Sequence, residues 1–200
     1  MFSNLLPEDL FKIINEWFPG IDYHGYYIAG GFIRSYYACK KPKDMDIFFD
    51  DISQLDVVIE KLRTLGYVVK KKTGYAITMV KDDNIIQLVK NINGSIEEVF
   101  KDFDFTVCQV AVKGSCIFYT SQFFNDLNNK KLVLNEESFD RCATTLERVV
   151  RYASYGFIPE RKQLNLLIKT IKETDEDELR IGYHKKKEGV INGSCSQNFT

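Results

Sequence analysis

The stretch that decides the fold reads YYIAGGFIR at residues 26–34 and resumes as KDMDIFF at residues 43–49. The first apolar run ends in a glycine pair, which predicts a strand, a tight turn and a short helix. The second run predicts another strand, with Asp44 and Asp46 at alternate positions. Because alternate residues of a strand lie on one face, we expect the two carboxylates to point the same way.

These carboxylates and glycines together predict one kind of chemistry. Two carboxylates one strand repeat apart repel each other unless a cation lies between them, and their oxygens suit a hard ion such as Mg²⁺. Gly30 and Gly31 carry no side chain that would keep a phosphate from the backbone, and the N–H groups that open the next helix can hold the anion. The pattern is therefore typical of a nucleotidyl-transfer site. The alternative is that Asp44 and Asp46 form only a solvated turn before a strand.

The composition is ordinary for a soluble globular protein, with 44% apolar and 28% charged residues in a chain of 200. No apolar run approaches a membrane span and no secretory signal opens the chain, so we expect a cytoplasmic protein without a membrane partner. The net charge of −1 gives no general attraction to nucleic acid. The five cysteines lack CxxC spacing, which favours reduced thiols, and with two histidines a zinc site is not expected.

The order of the predicted elements indicates an α+β fold, in which a mixed sheet is flanked by helices and followed by a small helical region. We expect a head domain at residues 1–135, a helical, neck-like extension at 136–181 and a disordered tail at 182–200. Ser53 is expected to cap a helix, and residues 81–84 to form a hairpin turn. The predicted helices are 7–18, 32–39, 53–65, 95–100, 137–155 and 163–173, and the predicted strands are 26–29, 45–49, 67–69, 75–80, 85–89, 105–112 and 116–119, with a helix or loop at 122–128.

Three ordered motifs resemble a known family. GGFIR at 30–34 followed by DMD at 44–46 is similar to the head-domain motif of the class II tRNA nucleotidyltransferases and bacterial poly(A) polymerases, within the polymerase-β-like nucleotidyltransferase superfamily. FDFTV at 103–107 resembles that family's Arg-Arg-Asp-Phe-Thr-Ile strand. Residues 146–157 resemble its helix Leu-Arg-x-x-Arg-Phe-Ala, which ends in Gly-Phe. The ordered set is more specific than any one motif.

The resemblance implies a metal-dependent enzyme that transfers a nucleoside monophosphate from a nucleoside triphosphate to a hydroxyl, most simply a tRNA or other RNA 3′ end, and releases pyrophosphate. Asp44, Asp46 and a third carboxylate, Asp104, are expected to be catalytic and to hold two Mg²⁺ ions. Asp102 is the alternative third carboxylate, and Asp104 could instead be a buried aspartate held by backbone N–H groups. Gly30, Gly31 and Arg34 are expected to bind the nucleotide. No stable protein partner is predicted.

A predicted helix supplies two further candidates for nucleotide binding, Arg148 and Arg151. On a helical wheel one side is apolar, comprising Leu146, Val149, Val150, Ala153 and Phe157, while the opposite side carries Arg141, Arg148, Arg151 and Tyr155. The resemblance implies that the cationic side faces the nucleotide. A solvated charged stripe is the alternative, as it is for Arg34 and for the lysine runs at 70–72 and 185–187.

The chain also departs from the family pattern. Asp102 and Phe103 stand where the family has two arginines, and Ser35 follows Arg34 where the family has aspartate. The family's base-pairing Glu-Asp-x-x-Arg motif does not follow the long helix, and the chain stops before the family's body and tail domains. Two alternative functions therefore remain: a nucleotide- or partner-binding module that has lost the chemistry, and a small toxin-type transferase that modifies a protein or small molecule.

Overall fold

Residues 1–135 and 141–174 are described by the structure, a computed structural model. The start of the helix expected at 137 and the expected tail at 182–200, with its lysine run, lie outside these ranges, and the domain boundary at 136 stays a prediction. The strands are β1 Phe2–Leu5, β2 Tyr26–Ala29, β3 Met45–Phe49, β4 Val68–Lys72, β5 Ala76–Lys81, β6 Asn84–Asn93, β7 Val110–Lys113, β8 Cys116–Tyr119, β9 Lys131–Leu132 and β10 Ile158–Pro159. The α-helices are α1 Glu8–Trp17, α2 Gly31–Tyr37, α3 Leu55–Thr64, α4 Ile96–Lys101, α5 Ser121–Asn128, α6 Cys142–Ala153 and α7 Arg161–Glu173, and short 3₁₀ turns cover Ile52–Gln54 and Thr106–Cys108.

One mixed sheet of eight strands organises the described chain, in the order β1-β8-β7-β2-β3-β6-β5-β4. Its neighbours are antiparallel except β3 and β6, which run parallel. The chain returns from β3 to β6 through α3 and the β4–β5 pair, which gives the long connection that a parallel pair needs. The expected α+β class is confirmed.

The two faces of the sheet build separate parts of the core because side chains alternate along β2 and β3. The larger part contains Ile28, Ile47 and Phe49 and is covered by α1, α2, α3, α5 and α6. The smaller part contains Tyr27 and Phe48 together with the buried side chains of α4. Asp44 and Asp46 share the alternation of Phe48, so the acidic pair belongs to the face that carries α4.

Several element boundaries agree with the sequence. Strands β2 and β3 begin and end where their apolar runs do, and Lys81 pairs with Asn84 across the expected turn. Ser53 does not cap α3, whose N-cap residue Gln54 makes no side-chain capping bond. Asp51 caps the preceding 3₁₀ turn, and its Oδ1 accepts from the Ser53 N–H at 2.8 Å. Strand β1 was not predicted, since its pairing partner β8 lies more than a hundred residues further along the chain.

The strand expected over 105–112 is the clearest error of the sequence prediction. Phe105 makes a single bridge to Leu134, and Thr106–Cys108 form a 3₁₀ turn before β7 begins at Val110. Thr106 diverts the chain because its Oγ1 donates to Asp126 Oδ2 at 2.6 Å and its backbone N–H donates to the Val133 carbonyl at 3.1 Å. Asp104 therefore lies in the connection that follows α4 and not on a strand of the main sheet.

Two further properties of the described residues bear on the expectations from composition. Within 1–135 and 141–174, no helix is both long enough and apolar enough to span a membrane. Cys39, Cys108, Cys116 and Cys142 are free thiols.

The glycine turn between β2 and α2 gives a stability prediction. Gly30 has φ +80° and ψ −126°, whereas Gly31 is the first residue of α2, where an added Cβ would meet Arg34 only at an ordinary 3.8 Å. Gly30→Ala should lower the free energy of unfolding by about 1–3 kcal/mol, because an L-residue is strained in that conformation. Gly31→Ala, the matched control, should instead raise it by about 0.4–1 kcal/mol, because alanine adopts the helical backbone of α2 without strain. Urea unfolding followed by circular dichroism measures both, and equal effects would contradict the prediction.

Candidate functional site

The acidic pair lies at the beginning of β3. Asp44 immediately precedes the strand, and Asp46, within it, has Gln87 of the parallel strand β6 as its register partner. The Gln87 amide Nε2 donates to Asp44 Oδ2 at 2.8 Å. Gln87 thereby fixes one carboxylate beside the other. It was missed from the sequence because its position opposite β3 depends on a long-range parallel pairing.

The electrostatics of Asp46 follow from this placement. Burial, and after it the neighbouring charge of Asp44, raise the pKa of Asp46 to about 7, while Arg148 and Arg34 act in the opposite direction. The two carboxylates thus lie close together, and a negative charge on Asp46 is disfavoured even though Arg34 and Arg148 partly offset it. A divalent cation would supply the missing charge, since Mg²⁺ is commonly bound by one or two carboxylates plus substrate phosphates and water.

Arg34 lies one helical turn after the glycine pair, with its guanidinium next to the turn. Its Nη2 lies 3.8 Å from the position that a Cβ on Gly31 would occupy. Its Nη1 donates to the hydroxyl of Tyr152 on α6, and the guanidinium carbon lies 4.8 Å from the centre of that ring. Helix α2 has only seven residues, so the positive charge beside the glycine turn comes mainly from the Arg34 guanidinium.

Asp104 is 4% exposed and its two carboxylate oxygens have partners from α6. Thr145 Oγ1 donates to Oδ1 at 2.9 Å, and Arg148 Nη1 donates to Oδ2. Across 1–135 and 141–174 no group of three or more His, Cys, Asp or Glu side chains is placed to hold one metal ion. A metal-binding role for Asp104 stays a prediction, and the contacts that the structure gives it are with Arg148 and Thr145.

The alternative carboxylate, Asp102, ends α4. Its backbone carbonyl accepts from Arg141 Nη2 at 2.8 Å, and its carboxylate lies 3.6 Å from the same nitrogen. Asp102 therefore contacts α6 as Asp104 does, through a different arginine.

Helix α6 is rotated relative to the sequence prediction. Its buried residues are Cys142, Thr145, Val149 and Tyr152, whereas Val150 is 66% exposed and Ala153 is also exposed. The apolar face was misassigned because Thr145 and Tyr152 were not counted as core residues, although Thr145 is fully buried through its bond to Asp104. The side chains of the expected cationic side line the same cleft as the acidic pair, and their contact with a nucleotide stays a prediction: Arg141, Arg148, Arg151 and Tyr155.

This cleft has a volume of ≈ 720 Å³ and is strongly cationic. The glycine pair and the acidic pair line it. Phe103, at the position where the tRNA nucleotidyltransferases have an arginine, also lines it and packs against Phe48 with ring centres 5.6 Å apart. Eight lysines and arginines line it against four aspartates, which leaves a formal charge of +4 in a chain of net charge −1. The volume and the excess of positive charge suit an anionic ligand larger than a single phosphate. The cations are Arg34, Lys40, Lys41, Lys43, Lys130, Arg141, Arg148 and Arg151, and the anions are Asp44, Asp46, Asp102 and Asp104.

Lysines and aromatic rings alternate at the edge of the cleft. Lys43 Nζ donates to the Tyr155 hydroxyl at 3.1 Å, and Lys40 and Lys43 lie 5.5 and 5.4 Å from the centre of the Tyr155 ring. Lys130 lies 5.0 Å from the ring of Phe157. The lysine-rich segment at 40–43 could have predicted Lys40 and Lys43 from the sequence, but it was not singled out. The run at 70–72 lies on the edge strand β4 and is not part of the cleft lining.

Sequence comparison places this fold and site in a family. A family model described as Gabija anti-defense 2 family protein matches residues 6–130, well over half of the chain. The chain belongs to the Gabija anti-defense 2 family. No curated protein matches the sequence. The match covers the glycine turn, the acidic pair and Asp104, and stops before α6.

Solved structures give a second comparison. A CCA-adding enzyme in complex with CTP is 19% identical with a TM-score of 0.69, covering 93% of this chain and 50% of that one. The CCA-adding enzyme of Thermotoga maritima in complex with tRNA is 18% identical with a TM-score of 0.66, covering 94% of this chain and 51% of that one. A structure described as a tRNA-processing enzyme in an apo form is 19% identical with a TM-score of 0.67, covering 91% and 53%. The chain thus shares their fold and spans about half of their length.

These comparisons confirm part of what the motifs predicted. The nucleotidyltransferase-like fold of the CCA-adding enzymes is the fold of this chain. The family that matches by sequence is Gabija anti-defense 2, which the motif resemblance did not predict.

The acidic pair predicts a pH dependence of stability in the metal-free protein. Since the pKa of Asp46 rises from 3.8 to about 7 on folding, stability should fall as pH increases from about 4 to 7 and stay low above that. Asp46→Asn should remove this loss and stabilise the protein at pH 8 by roughly 2–4 kcal/mol, with little gain at pH 4. Urea unfolding in EDTA across this range measures it. Asp83→Asn, at the exposed β5–β6 turn, is the control, and parallel pH curves for Asp46→Asn and wild type would contradict the prediction.

Asp104→Asn separates the two roles of the buried carboxylate. If Asp104 serves to hold Arg148, the variant should lose roughly 1–3 kcal/mol of stability, because the amide cannot replace a charged acceptor, while Mn²⁺ affinity stays within about twofold of wild type. Thermal unfolding and calorimetric titration with Mn²⁺ measure the two quantities. A large loss of Mn²⁺ affinity would instead assign Asp104 to the metal, as the motifs predicted.

Proposed function

We propose that the protein is a divalent-metal-dependent nucleotidyltransferase that moves a nucleoside monophosphate from a nucleoside triphosphate to a hydroxyl acceptor. The observation that carries this proposal is the juxtaposition, in one cationic cleft, of the acidic pair on β3, the Gly30–Gly31 turn and the Arg34 guanidinium. The cleft has the volume of a small-molecule site and an excess of positive charge that suits a triphosphate.

The reaction follows from the ligands that the cleft favours. The acceptor oxygen attacks the α-phosphorus, the bond from that phosphorus to the oxygen leading to the β-phosphate breaks, and pyrophosphate leaves. Arg34, beside the glycine turn, neutralises phosphate charge with its fork of donors. Arg148 and Arg151 of α6 line the same cleft, which supports the proposal that they contact the nucleotide.

Asp44 and Asp46 would hold the metal, and their chemistry fits Mg²⁺. Both are oxygen ligands, and the amide of Gln87 orients Asp44. Burial and the neighbouring charge of Asp44 raise the pKa of Asp46, so a bound cation would stabilise its charged form. When bound, two such ions would neutralise the phosphates and favour ionisation of the acceptor hydroxyl. Asp104 is proposed as the third carboxylate only if the variant described above loses its metal affinity; otherwise it holds Arg148.

An RNA 3′ end is the acceptor that we propose first. Lys40, Lys43 and Lys130 at the edge of the cleft would contact the phosphates of a single-stranded nucleic acid, and the partly exposed ring of Tyr155 would stack on a base. One structure with the same fold is a CCA-adding enzyme in complex with tRNA. A protein or small-molecule hydroxyl is the alternative acceptor, as in a toxin-type transferase.

The family is named for action against Gabija, and we propose that the transfer reaction serves that anti-defence role. The second candidate function is a nucleotide- or partner-binding module. Two observations favour it: Asp102 and Phe103 stand where the tRNA nucleotidyltransferases have arginines, and no three-ligand group occurs in the described residues. The retained acidic pair favours the enzyme.

A transfer assay tests the proposal. Each α-labelled nucleoside triphosphate is offered with Mg²⁺ and with mixed tRNA, total RNA or the protein alone. Label should appear in RNA with wild type and with Asp83→Ala, an exposed-turn control, and should fall at least a hundredfold with Asp44→Ala/Asp46→Ala, since a metal-assisted step loses about that much or more without its ligands. The same variants, expressed beside the Gabija defence, show whether suppression of Gabija needs the acidic pair.

The outcomes separate the candidates. Label on the protein itself would move the acceptor from RNA to protein. No transfer with any acceptor, combined with suppression of Gabija by the Asp44→Ala/Asp46→Ala variant, would establish the binding module and overturn the enzyme.

A further inference from the structure

One buried contact joins α6 to the glycine turn, and none of the expected roles uses it. Tyr152 is 9% exposed, with its ring packed 4.8 Å from that of Phe105 and 5.8 Å from that of Phe157. Its hydroxyl accepts a hydrogen bond from Arg34 Nη1 and lies 2.8 Å from Cys108 Sγ. Three residues from separate segments therefore meet at a hydroxyl that a phenylalanine would lack.

We infer that Tyr152 is a positioning residue, which sets the Arg34 guanidinium over the glycine turn so that it meets the triphosphate of the incoming nucleotide. This inference rests on the proposed function. Tyr152 is not expected to touch the substrate. Its action on the substrate passes through Arg34.

Contacts at both terminal nitrogens of its guanidinium restrict the orientation of Arg34. Nη1 is directed at Tyr152 and lies 3.9 Å from Cys108 Sγ, while Nη2 lies 3.4 Å from Ser35 Oγ and beside Gly31. The guanidinium carbon also lies 4.8 Å from the centre of the Tyr152 ring, a cation–π contact that favours this orientation. An arginine held in this way loses less side-chain entropy on binding an anion than a free surface arginine does.

The chemistry of the hydroxyl leaves the arginine charge available. Burial, and after it the facing Cys108, raise the pKa of Tyr152 well above its usual range. The hydroxyl is therefore neutral at physiological pH, and it orients the cation without cancelling its charge. A carboxylate at the same place would orient Arg34 equally well but would compete with phosphate for it.

The hydroxyl also distinguishes this chain from the helix motif that it resembles, in which phenylalanine occupies the position of Tyr152. The aromatic ring alone satisfies the packing between α6 and Phe105. The hydroxyl oxygen of Tyr152 adds contacts with Arg34 and Cys108 that the packing of the ring does not require.

Tyr152→Phe tests the inference because it keeps the ring and removes one oxygen. The probe is α,β-methylene-ATP with Mg²⁺, which cannot be transferred, and binding is measured by calorimetry. Affinity should fall about 3- to 10-fold, as expected for a lost hydrogen bond that orients a charged group. Tyr119→Phe is the matched control: it removes a hydroxyl that accepts from Asn4 at 2.8 Å on β8, outside the cleft, and should leave affinity unchanged.

A double-mutant cycle separates positioning from a structural effect. In an Arg34→Gln background, Tyr152→Phe should cause no further loss of affinity, because the residue that it positions is absent. An equal loss in both backgrounds would overturn the inference. Should Tyr152→Phe fail to fold, Cys108→Ala frees the hydroxyl without changing the ring and should weaken binding by a smaller factor; unchanged affinity would then overturn it.

The same titration distinguishes a failure of this inference from a failure of the proposed function. If wild type does not bind α,β-methylene-ATP at all, the proposed nucleotide site fails. If wild type binds and Tyr152→Phe binds equally well, only the role of Tyr152 fails.

Discussion

The constraint on which the site depends is the cost of placing two like charges together on a partly buried strand. Asp44 and Asp46 face the same way at the beginning of β3, and the pKa of Asp46 shows that the fold does not remove the repulsion. Around this pair the chain arranges an amide from β6 and cations from α2 and α6. The cleft therefore combines a carboxylate pair with an excess of positive charge, as the proposed binding of a metal–nucleoside triphosphate would require.

Helix α6 completes the cleft through two contacts of different character. Arg148 and Thr145 enclose the buried Asp104, while Tyr152 meets Arg34 beside the glycine turn. One contact is ionic and partly open to water, and the other places an aromatic ring beneath a cation. Both contacts join α6 to residues beside the glycine turn and the acidic pair, so the proposed binding of nucleotide would be physically linked to the packing of this helix.

The sequence predicted what short-range patterns determine. The glycine turn, β2, β3 and the shared face of the acidic pair follow from apolar runs and a period of two. The strand expected over 105–112 failed because the side chain of Thr106 bonds to Asp126, a contact that no local pattern encodes. Gln87 and the rotation of α6 were missed for the same reason, since a parallel register and a buried threonine are visible only once the chain has folded. The match to the Gabija anti-defense 2 family likewise came from sequence comparison and not from the motifs.

The first strand has a consequence for how the molecule is made. β1 is an edge of the sheet and its partner is β8, with Leu5 opposite Cys116 and Phe2 opposite Tyr119. A ribosome adding about 5–20 residues per second finishes β8 several seconds or more after β1 has emerged. During that interval β8 has not yet been synthesised, so the backbone of β1, with its apolar side chains Phe2 and Leu5, has no strand to pair with. Strand β1 is thus among the last strands to pair, although it precedes the other strands of the sheet in the chain.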